Sequence, residues 1–242
     1  MEIAAKKALV TGGSLGIGRA IAAALKHAGG DVLVCGRGAD ALARAQSELG
    51  VRTVQCDVAD EDQVRALVDH IREDWGGLDL LVNNAGIQCY PDFTQEVAWA
   101  EIRREIAVNL EAPIRLVQQL MPLLQRSPEA AIVNVSSGLA LLPKRTSPVY
   151  GATKAALHSF TISLRWQLEA THVHVMEVLP PVVRTAMTEG RNAGAIGPEA
   201  VAVSLIQGLR ANTEEVLVGQ SRLFAWVIRV APWLARRILQ TQ

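Results

Sequence analysis

The chain lacks the charge imbalance and the long apolar runs that mark nucleic-acid-binding and membrane-spanning proteins. Lys and Arg together number 24 among the 242 residues, and Asp and Glu also number 24, so the formal net charge at neutral pH is zero. Because nucleic-acid binders usually carry a basic excess or stripe, nucleic acid is not the expected partner. Uncharged apolar runs all stay below the roughly 18 residues that a membrane-spanning helix needs. We therefore expect no transmembrane segment.

Cysteine is also scarce. Cys35, Cys56 and Cys89 are odd in number and form no CxxC pair, which indicates reduced thiols rather than a disulfide framework. The opening stretch MEIAAKKALVTGG has no apolar signal-peptide region, so we expect a cytoplasmic protein. His172 and His174 alternate with valines but have no evident Cys, Asp or Glu partner. No metal site is therefore expected.

Hydrophobic residues are plentiful, at 50% of the chain, and their pattern indicates a layered α/β fold. Short Val/Ile/Leu runs fall at 7–13, 31–36, 51–58, 78–86, 130–137, 172–180 and 214–219. Amphipathic helical stretches fall near 17–29, 39–49, 60–75, 98–125, 149–170 and 198–211. Near-continuous apolar strands indicate burial on both faces, and alternation with helices indicates a parallel sheet. We expect a single Rossmann-type domain with a doubly wound, seven-stranded sheet and helices on both faces.

In such a sheet, ligands bind at the carboxyl ends of the strands, so the residues there are the candidate site. The first strand is followed by VTGGSLGIGRAIA, in which Gly12, Gly16 and Gly18 give Gly-x3-Gly-x-Gly. Glycines allow a tight turn and close approach of the backbone to a pyrophosphate, and the following helix offers free N–H groups. The same loop contains Ser14, Leu15 and Ile17. A plain glycine-rich turn is the alternative for this motif.

Three more strand ends carry polar or small residues. The second ends in Gly36 and Arg37, where an arginine suits a 2′-phosphate better than a ribose hydroxyl, although a solvated loop charge is the alternative. The third ends in Asp57 and Val58, and Asp57 could accept a hydrogen bond from an adenine amino group or help to start the next helix. The fourth ends in NNAG at 83–86, where Asn84, Ala85 and Gly86 suit either a backbone passing a ligand or a turn.

The fifth strand leads to a possible catalytic group. Ser137 ends the strand, and Tyr150, one of only two tyrosines, has Lys154 four residues further on. This spacing places Tyr150 and Lys154 on one helix face, where the ammonium group is expected to lower the Tyr150 pKa and prepare it for acid/base catalysis. An isolated YxxxK is more often ordinary packing, but here the serine, the glycine loop and NNAG share one sheet edge.

Together the stretches TGGSLGIG, CDV, NNAG, VNL, VNVSS and YGATK resemble the short-chain dehydrogenase/reductase family over residues 6 to about 219. The resemblance implies a Rossmann-type fold and hydride transfer between a nicotinamide dinucleotide and a carbonyl or alcohol. It implies that Tyr150 is the acid/base group and that Ser137 orients the substrate oxygen. It also implies that Lys154 binds the nicotinamide ribose and lowers the pKa of Tyr150. Asn109 would hold a water in a proton relay to Lys154. Further runs resemble a bacterial subgroup, some members of which are labelled as linked to D-alanine esterification of teichoic acids; that role is not carried over to this chain.

One departure from the family concerns the loop after the sixth strand. The family usually has Pro-Gly before a Val/Ile-x-Thr that meets the carboxamide, whereas this chain has LPPVVRTAM with Pro181 in place of glycine. Proline lacks an N–H group and is stiffer. By position, Val183 and Thr185 would bind the cofactor. Tyr90 and Cys89, after NNAG, could border the substrate, but they are interpreted as loop residues without a partner.

The sequence thus predicts an NADP(H)-preferring carbonyl reductase or alcohol dehydrogenase. An NAD-dependent dehydrogenase and a non-catalytic dinucleotide-binding sensor are the alternatives. We expect a domain at 1–220 with a substrate lid near 184–197. The family resemblance implies a homodimer or homotetramer formed through helices 98–125 and 149–170. The tail at 221–242 carries Arg222, Arg229 and Arg236 among apolar residues. It is expected to pack on the subunit or its partner, with membrane-surface binding as the minority alternative.

Overall fold

The computed structural model describes residues 1–189 and 194–230. In this part of the chain, seven strands form one sheet in the order β3-β2-β1-β4-β5-β6-β7. The strands are β1 (Lys7–Thr11), β2 (Asp31–Gly36), β3 (Arg52–Gln55), β4 (Leu80–Asn83), β5 (Ala130–Val135), β6 (Val173–Leu179) and β7 (Glu215–Leu217). The helices are α1 (Gly16–His27), α2 (Ala39–Leu49), α3 (Glu61–Trp75), α4 (Trp99–Ile106), α5 (Ala112–Leu124), α6 (Pro148–Leu168), α7 (Pro198–Arg210) and α8 (Gln220–Val230).

All neighbouring strands run parallel, and the strand order reverses at β1. Val10 of β1 is in register with Val34 of β2 on one side and with Val82 of β4 on the other. The connections after β1 and β4 therefore leave in opposite directions and open a crevice at the carboxyl edge of the sheet. The predicted doubly wound, seven-stranded parallel sheet is confirmed.

The sheet is buried on both faces, because successive strand residues point to opposite sides. Leu9 and Val10 are both fully buried, yet they belong to different apolar layers. Val10 lies in the layer that includes residues of α1, α2 and α7. Leu9 lies in the layer that includes residues of α3, α5 and α6. This double burial explains why the strands read as near-continuous Val, Ile and Leu.

Local signals set the start of α3. The Asp60 carboxylate accepts hydrogen bonds of 3.0 Å from the backbone N–H groups of Asp62 and Gln63. Such a cap satisfies N–H groups that have no partner inside the helix. These bonds also hold the pKa of Asp60 below its ordinary value.

The stretch 98–125, expected as one helix, is divided. After α4, residues Ala107–Glu111 form one π-helical turn before α5 begins. The N–H of Ala112 donates to the carbonyl of Ala107, five residues earlier, as a π turn requires. Helical periodicity in a sequence does not reveal this one-residue insertion. The strand expected at 51–58 is also shorter, since β3 covers only Arg52–Gln55.

The last described helix, α8, begins at Gln220, one residue before the start of the expected tail at 221–242. Ser221 is buried, whereas Trp226 and Val230 are more than 60% exposed. Arg236 and the break expected near Pro232 lie outside the described residues. No helix within the described ranges combines the length and the hydrophobicity needed to cross a membrane.

Candidate active site

The loop after β1 packs so closely on the start of α1 that only glycine fits at Gly18. A Cβ there would lie 2.3 Å from the carbonyl oxygen of Gly12, and Gly12 itself has φ of 63°. Gly16 also has a positive φ, of 54°, and a Cβ there would lie 3.1 Å from Cγ2 of Thr185. The glycine loop therefore lies against Thr185 of the loop after β6, on the same sheet edge.

The amino end of α1 is open to an anion. Leu15 precedes the helix with extended backbone and makes no side-chain cap, and the first turn contains no acidic residue. The first N–H groups of the helix and its partial positive charge are thus not neutralised by a side chain. Ser14 is buried beneath this turn, and Leu15 is 58% exposed. These residues fit the pyrophosphate of a dinucleotide.

Thr11, at the end of β1, fixes the position of the NNAG segment. Its hydroxyl accepts hydrogen bonds of 3.0 Å from the backbone N–H groups of both Asn84 and Ala85. The side-chain amide of Asn84 returns a 2.9 Å hydrogen bond to the carbonyl of Thr11. The first and fourth strand ends are therefore joined. Sequence reasoning missed Thr11, whose signal was a hydroxyl between an apolar strand and the glycines.

Asn109 lies in the π turn and fastens the segment that follows NNAG. Its Oδ1 accepts a 2.9 Å hydrogen bond from the N–H of Ile87, and its Nδ2 donates a 2.8 Å hydrogen bond to the carbonyl of the same residue. A Cβ at Gly86 would lie 3.4 Å from Asn109 Oδ1 and 3.8 Å from Lys154 Nζ. Asn109 and Lys154 therefore meet across the backbone of Gly86.

Tyr150 and Lys154 lie one turn apart on α6, as the spacing predicts. Lys154 is only 4% exposed. Its Nζ donates a 3.0 Å hydrogen bond to the carbonyl of Val135 and lies 5.7 Å from the centroid of the Tyr150 ring. Ser137, two residues beyond Val135, shares a hydrogen bond with Tyr150 and accepts a 3.1 Å hydrogen bond from the N–H of Leu139. The structure thus brings together all four predicted catalytic residues.

The expectation that Lys154 lowers the Tyr150 pKa is not met in this structure. Burial raises the pKa of Tyr150 to about 12, against a smaller lowering by the hydrogen bond with Ser137. Burial also lowers the pKa of Lys154 to about 8, partly offset by the carboxylates of Glu177 and Glu105. The physical reason is that desolvation disfavours both phenolate and ammonium. At neutral pH, Tyr150 is therefore an uncharged phenol beside a mostly protonated lysine.

A buried carboxylate that sequence reasoning missed lies next to this group. Glu105 of α4 is fully buried and accepts hydrogen bonds from Cys89, at 3.2 Å from its N–H and 2.7 Å from its thiol. The interpretation of Cys89 as a loop residue without a partner was wrong, and Tyr90 is not without interactions either. Burial and the bonded carboxylate raise the pKa of the Cys89 thiol to about 12. This thiol is therefore held protonated.

Two residues expected at the adenosine end have distinct surroundings. Asp57 forms an ion pair with Arg104 of α4, and its Oδ1 accepts a 3.0 Å hydrogen bond from Ala59 N–H. Arg37 is exposed, and its carbonyl is held by the side chain of Gln55 at 2.9 Å. Val58 is buried in the core, so its side chain does not face a ligand at the surface.

Val183 lies just before the expected lid at 184–197, and Thr185 lies near its start. Val183 is buried and forms a parallel bridge with Ile196, supported by a 2.9 Å hydrogen bond from Arg184 N–H to the Ile196 carbonyl. The hydroxyl of Thr188 accepts a 3.1 Å hydrogen bond from Thr185 N–H. The two described ends of the 184–197 segment are therefore joined at its base. Residues 190–193 of the expected lid lie outside the described residues.

A glycine-lined nucleotide crevice beside a Ser-Tyr-Lys group defines a nicotinamide-dependent oxidoreductase of Rossmann type. The short chain dehydrogenase family model matches residues 6–195, and the chain belongs to this family. It is an NAD(P)-dependent short-chain dehydrogenase/reductase, as the sequence motifs predicted. A relative from Bacillus subtilis, the uncharacterised oxidoreductase DltE, is 41% identical over 224 residues, and the alignment covers 89% of this chain and 89% of that one.

Solved structures agree with this fold. A short-chain dehydrogenase/reductase from Burkholderia phymatum in complex with NAD superposes with a TM-score of 0.87, at 24% identity, over 95% of this chain and 96% of that one. The NADP complex of Pseudomonas aeruginosa RhlG superposes with a TM-score of 0.79, at 30% identity, over 85% of this chain and 90% of that one. The family match supports a nicotinamide dinucleotide as the cofactor.

Proposed function

We propose that this enzyme interconverts a small-molecule carbonyl and alcohol with a preference for NADP(H), and that Tyr150 donates or accepts the proton. The observation that carries the proposal is the hydrogen bond between Tyr150 and Ser137, with Lys154 one helical turn away and buried. A neutral Tyr150 can donate a proton to an oxygen that Ser137 holds in place.

The cofactor would supply or accept the hydride. The open amino end of α1 with its glycine loop would hold the pyrophosphate, and Lys154 would bind the nicotinamide ribose. Asn84, Ala85 and Gly86 would line the middle of the cleft, while Val183 and Thr185 would meet the carboxamide. Thr185 is supported in this role by its position against the glycine loop.

The pKa values of the two central groups favour the reductive direction at neutral pH. Tyr150, with a pKa of about 12, keeps its proton, and Lys154, with a pKa of about 8, is largely charged. A charged Lys154 stabilises the phenolate that forms when Tyr150 gives up its proton. Oxidation of an alcohol needs the phenolate as a base, so we expect it to require alkaline pH.

The preference for NADP(H) rests on Arg37 and Gly36. An acidic side chain at position 36 would bind ribose hydroxyls, but glycine provides none, and a Cβ there would lie 3.3 Å from Ser14 Oγ. Arg37 is exposed and makes no ion pair within the described ranges. A guanidinium group that is not already paired suits a 2′-phosphate. Leu15 offers no second charge, so the preference is moderate.

Asp57 is proposed to accept a hydrogen bond from the adenine amino group. Its oxygens already engage Arg104 and Ala59 N–H, and a carboxylate has lone pairs left for one more donor. Arg104 would then lie near the adenine as well.

The assembly and location are proposals too. Trp99 on α4 and Trp166 on α6 are 64% and 70% exposed, which supports association of copies through the 98–125 and 149–170 segments into a homodimer or homotetramer. The three cysteines are free thiols, which suits a reducing cytoplasm.

The experiment that tests the function is a cofactor-consumption assay with the purified chain. A panel of ketones and aldehydes is supplied with NADPH and, separately, NADH, and loss of the reduced-nicotinamide absorbance is followed. We expect turnover with at least one carbonyl and a higher kcat/KM with NADPH. Tight dinucleotide binding without turnover across a broad panel would favour the sensor, and a higher kcat/KM with NADH would favour the NAD-dependent alternative.

A further inference from the structure

Three side chains, of which only Glu177 acts on the site above through its effect on the pKa of Lys154, converge at the β6–β7 edge of the sheet. His158 of α6, Glu177 of β6 and Glu215 of β7 each offer a potential ligand atom, and these atoms lie within 4.8 Å of one another. Glu177 and Glu215 are register partners in neighbouring parallel strands, so their side chains leave the same face of the sheet. His158 reaches this point from α6, which packs on β6.

Glu177 has an unused oxygen deep inside the protein. The residue is fully buried, and its Oε2 lies 2.6 Å from His158 Nδ1. Its Oε1 is buried and has no hydrogen-bond partner among the residues that the structure describes. An unsatisfied carboxylate oxygen is costly in the protein interior, and it therefore indicates a missing donor or cation.

We propose that His158, Glu177 and Glu215 bind one divalent transition-metal ion such as Zn²⁺ or Co²⁺. One imidazole nitrogen and two carboxylates, completed by water, form a ligand set that such ions accept. The ion would take the place of the hydrogen bond between His158 Nδ1 and Glu177 Oε2.

An ion from solvent can reach these three residues, and their side chains can adjust to bind it. The His158 side chain is 22% exposed, and Glu215 is exposed, so an ion can enter from solvent. Metal–ligand distances of about 2.0–2.2 Å require the 2.6 Å contact between His158 Nδ1 and Glu177 Oε2 to open and the Glu215 side chain to adjust its position. Glu215 lies on the three-residue edge strand β7, where a side chain can turn without disturbing the core.

The neighbouring cations do not already fill the place of the ion. Lys154, one turn before His158, gives its Nζ hydrogen bond to the carbonyl of Val135. Arg165, further along α6, donates to the carbonyls of Val175 and Glu214. His158 is the only cationic side chain within 4.0 Å of the Glu177 carboxylate in the described ranges. Two carboxylates beside one imidazole therefore remain able to balance a divalent ion.

The ion would be structural. It would connect α6, β6 and the edge strand β7, and β7 leads directly into α8. Binding to the folded state alone raises the melting temperature by mass action. The sequence predicts no metal site because these three ligands come from separate elements and show no short-range spacing.

The test is a Co²⁺ titration of the untagged, chelator-treated full chain, read by visible absorption and by thermal melting. We expect about one Co²⁺ per chain, d–d bands without a thiolate charge-transfer band, and a rise in Tm of roughly 5 °C or more at a hundredfold excess over Kd. Glu215→Gln should abolish both signals while its metal-free Tm stays close to that of the wild type. His158→Gln should abolish them as well.

Matched controls are Glu214→Gln, next to the proposed ligand, and His172→Gln, a histidine outside the cluster; both should bind Co²⁺ as the wild type does. No Co²⁺ binding by the wild type would overturn the proposal and leave His158 and Glu177 as a plain ion pair. Binding that persists in Glu215→Gln, or a thiolate band that indicates cysteine ligation, would overturn it too. If His158→Gln fails to fold, Glu215→Gln decides the matter, because that residue is exposed.

Discussion

Asn109 binds the backbone of Ile87 with both ends of its side-chain amide, at 2.9 Å to the N–H and 2.8 Å to the carbonyl. This pair of hydrogen bonds holds the segment after NNAG against the π turn. The Nδ2 of Asn109 also donates a 3.3 Å hydrogen bond to the hydroxyl of Thr153. The amide is thus committed to protein groups. Its expected part in a water relay to Lys154 stays a prediction, and its structural part is evident from these contacts.

Replacing Asn109 should therefore weaken the fold as well as the site. Asn109→Ala leaves the N–H and the carbonyl of Ile87 without these partners, at a cost of about 2–4 kcal/mol. Urea unfolding measures the loss. Gln118→Ala, at an exposed position of α5, is the control and should change the unfolding free energy little. Equal stability of Asn109→Ala and the wild type would show that the bonds to Ile87 are replaced by water.

The activity should depend on the charge of Lys154. Its pKa of about 8 means that the ammonium is present below that pH and is lost as the pH rises through it. Phenolate formation then loses its support, so kcat/KM for carbonyl reduction should fall above about pH 8. Because the Glu105 carboxylate helps to keep Lys154 charged, Glu105→Gln should move this fall to lower pH.

The control for that pH profile is Glu101→Gln, an exposed carboxylate on the same helix as Glu105. Its profile should match that of the wild type. A flat profile between pH 7 and 9.5, or an equal displacement in both variants, would contradict the assignment of this fall to Lys154.

Cofactor choice should depend on Arg37. A charged hydrogen bond contributes roughly 1.5–3 kcal/mol, so Arg37→Ala should weaken NADPH binding about ten- to a hundredfold and NADH binding little. Dissociation constants from fluorescence titration check this directly. Arg44→Ala, an exposed arginine on α2, should leave both constants unchanged. Equal losses for the two cofactors in Arg37→Ala would show that Arg37 is only a solvated charge.

Gly18 should tolerate no side chain. A Cβ there would lie 2.3 Å from the Gly12 carbonyl oxygen and 2.4 Å from Asn84 Nδ2, so Gly18→Ala must displace the loop. We expect a loss of about 1–3 kcal/mol in the free energy of unfolding and weaker dinucleotide binding. Gly77→Ala is the matched control, because the nearest atoms would be 3.7 Å from its Cβ. Wild-type stability and binding in Gly18→Ala would mean that the loop can shift without cost.

The sequence was sufficient to predict the layered architecture, because the double burial of β1 and its neighbours produces near-continuous apolar runs. It was also sufficient to predict that Ser137, Tyr150 and Lys154 lie at one edge of the sheet, because α/β topology places the carboxyl ends of all strands there.

What the sequence did not reveal depends on contacts between distant segments. Thr11 bonds to residues more than 70 positions away, and the Glu105–Cys89 pair joins a helix to a loop. Neither leaves a periodic signal. The pKa of Tyr150 was expected to fall because only the charge of Lys154 was considered. Burial, which opposes it, is visible only once the chain is folded.

The central claim is that Tyr150 is the proton donor of a carbonyl reduction, and Tyr150→Phe tests it most directly, because the change removes only the hydroxyl. With a carbonyl substrate found in the panel, single-turnover rates and NADPH dissociation constants are measured for the wild type, Tyr150→Phe and the control Tyr90→Phe. The account predicts a 10²–10⁴-fold lower rate for Tyr150→Phe, NADPH binding close to that of the wild type, and little change in Tyr90→Phe. An undiminished rate in Tyr150→Phe, or loss of activity in Tyr90→Phe instead, would contradict it.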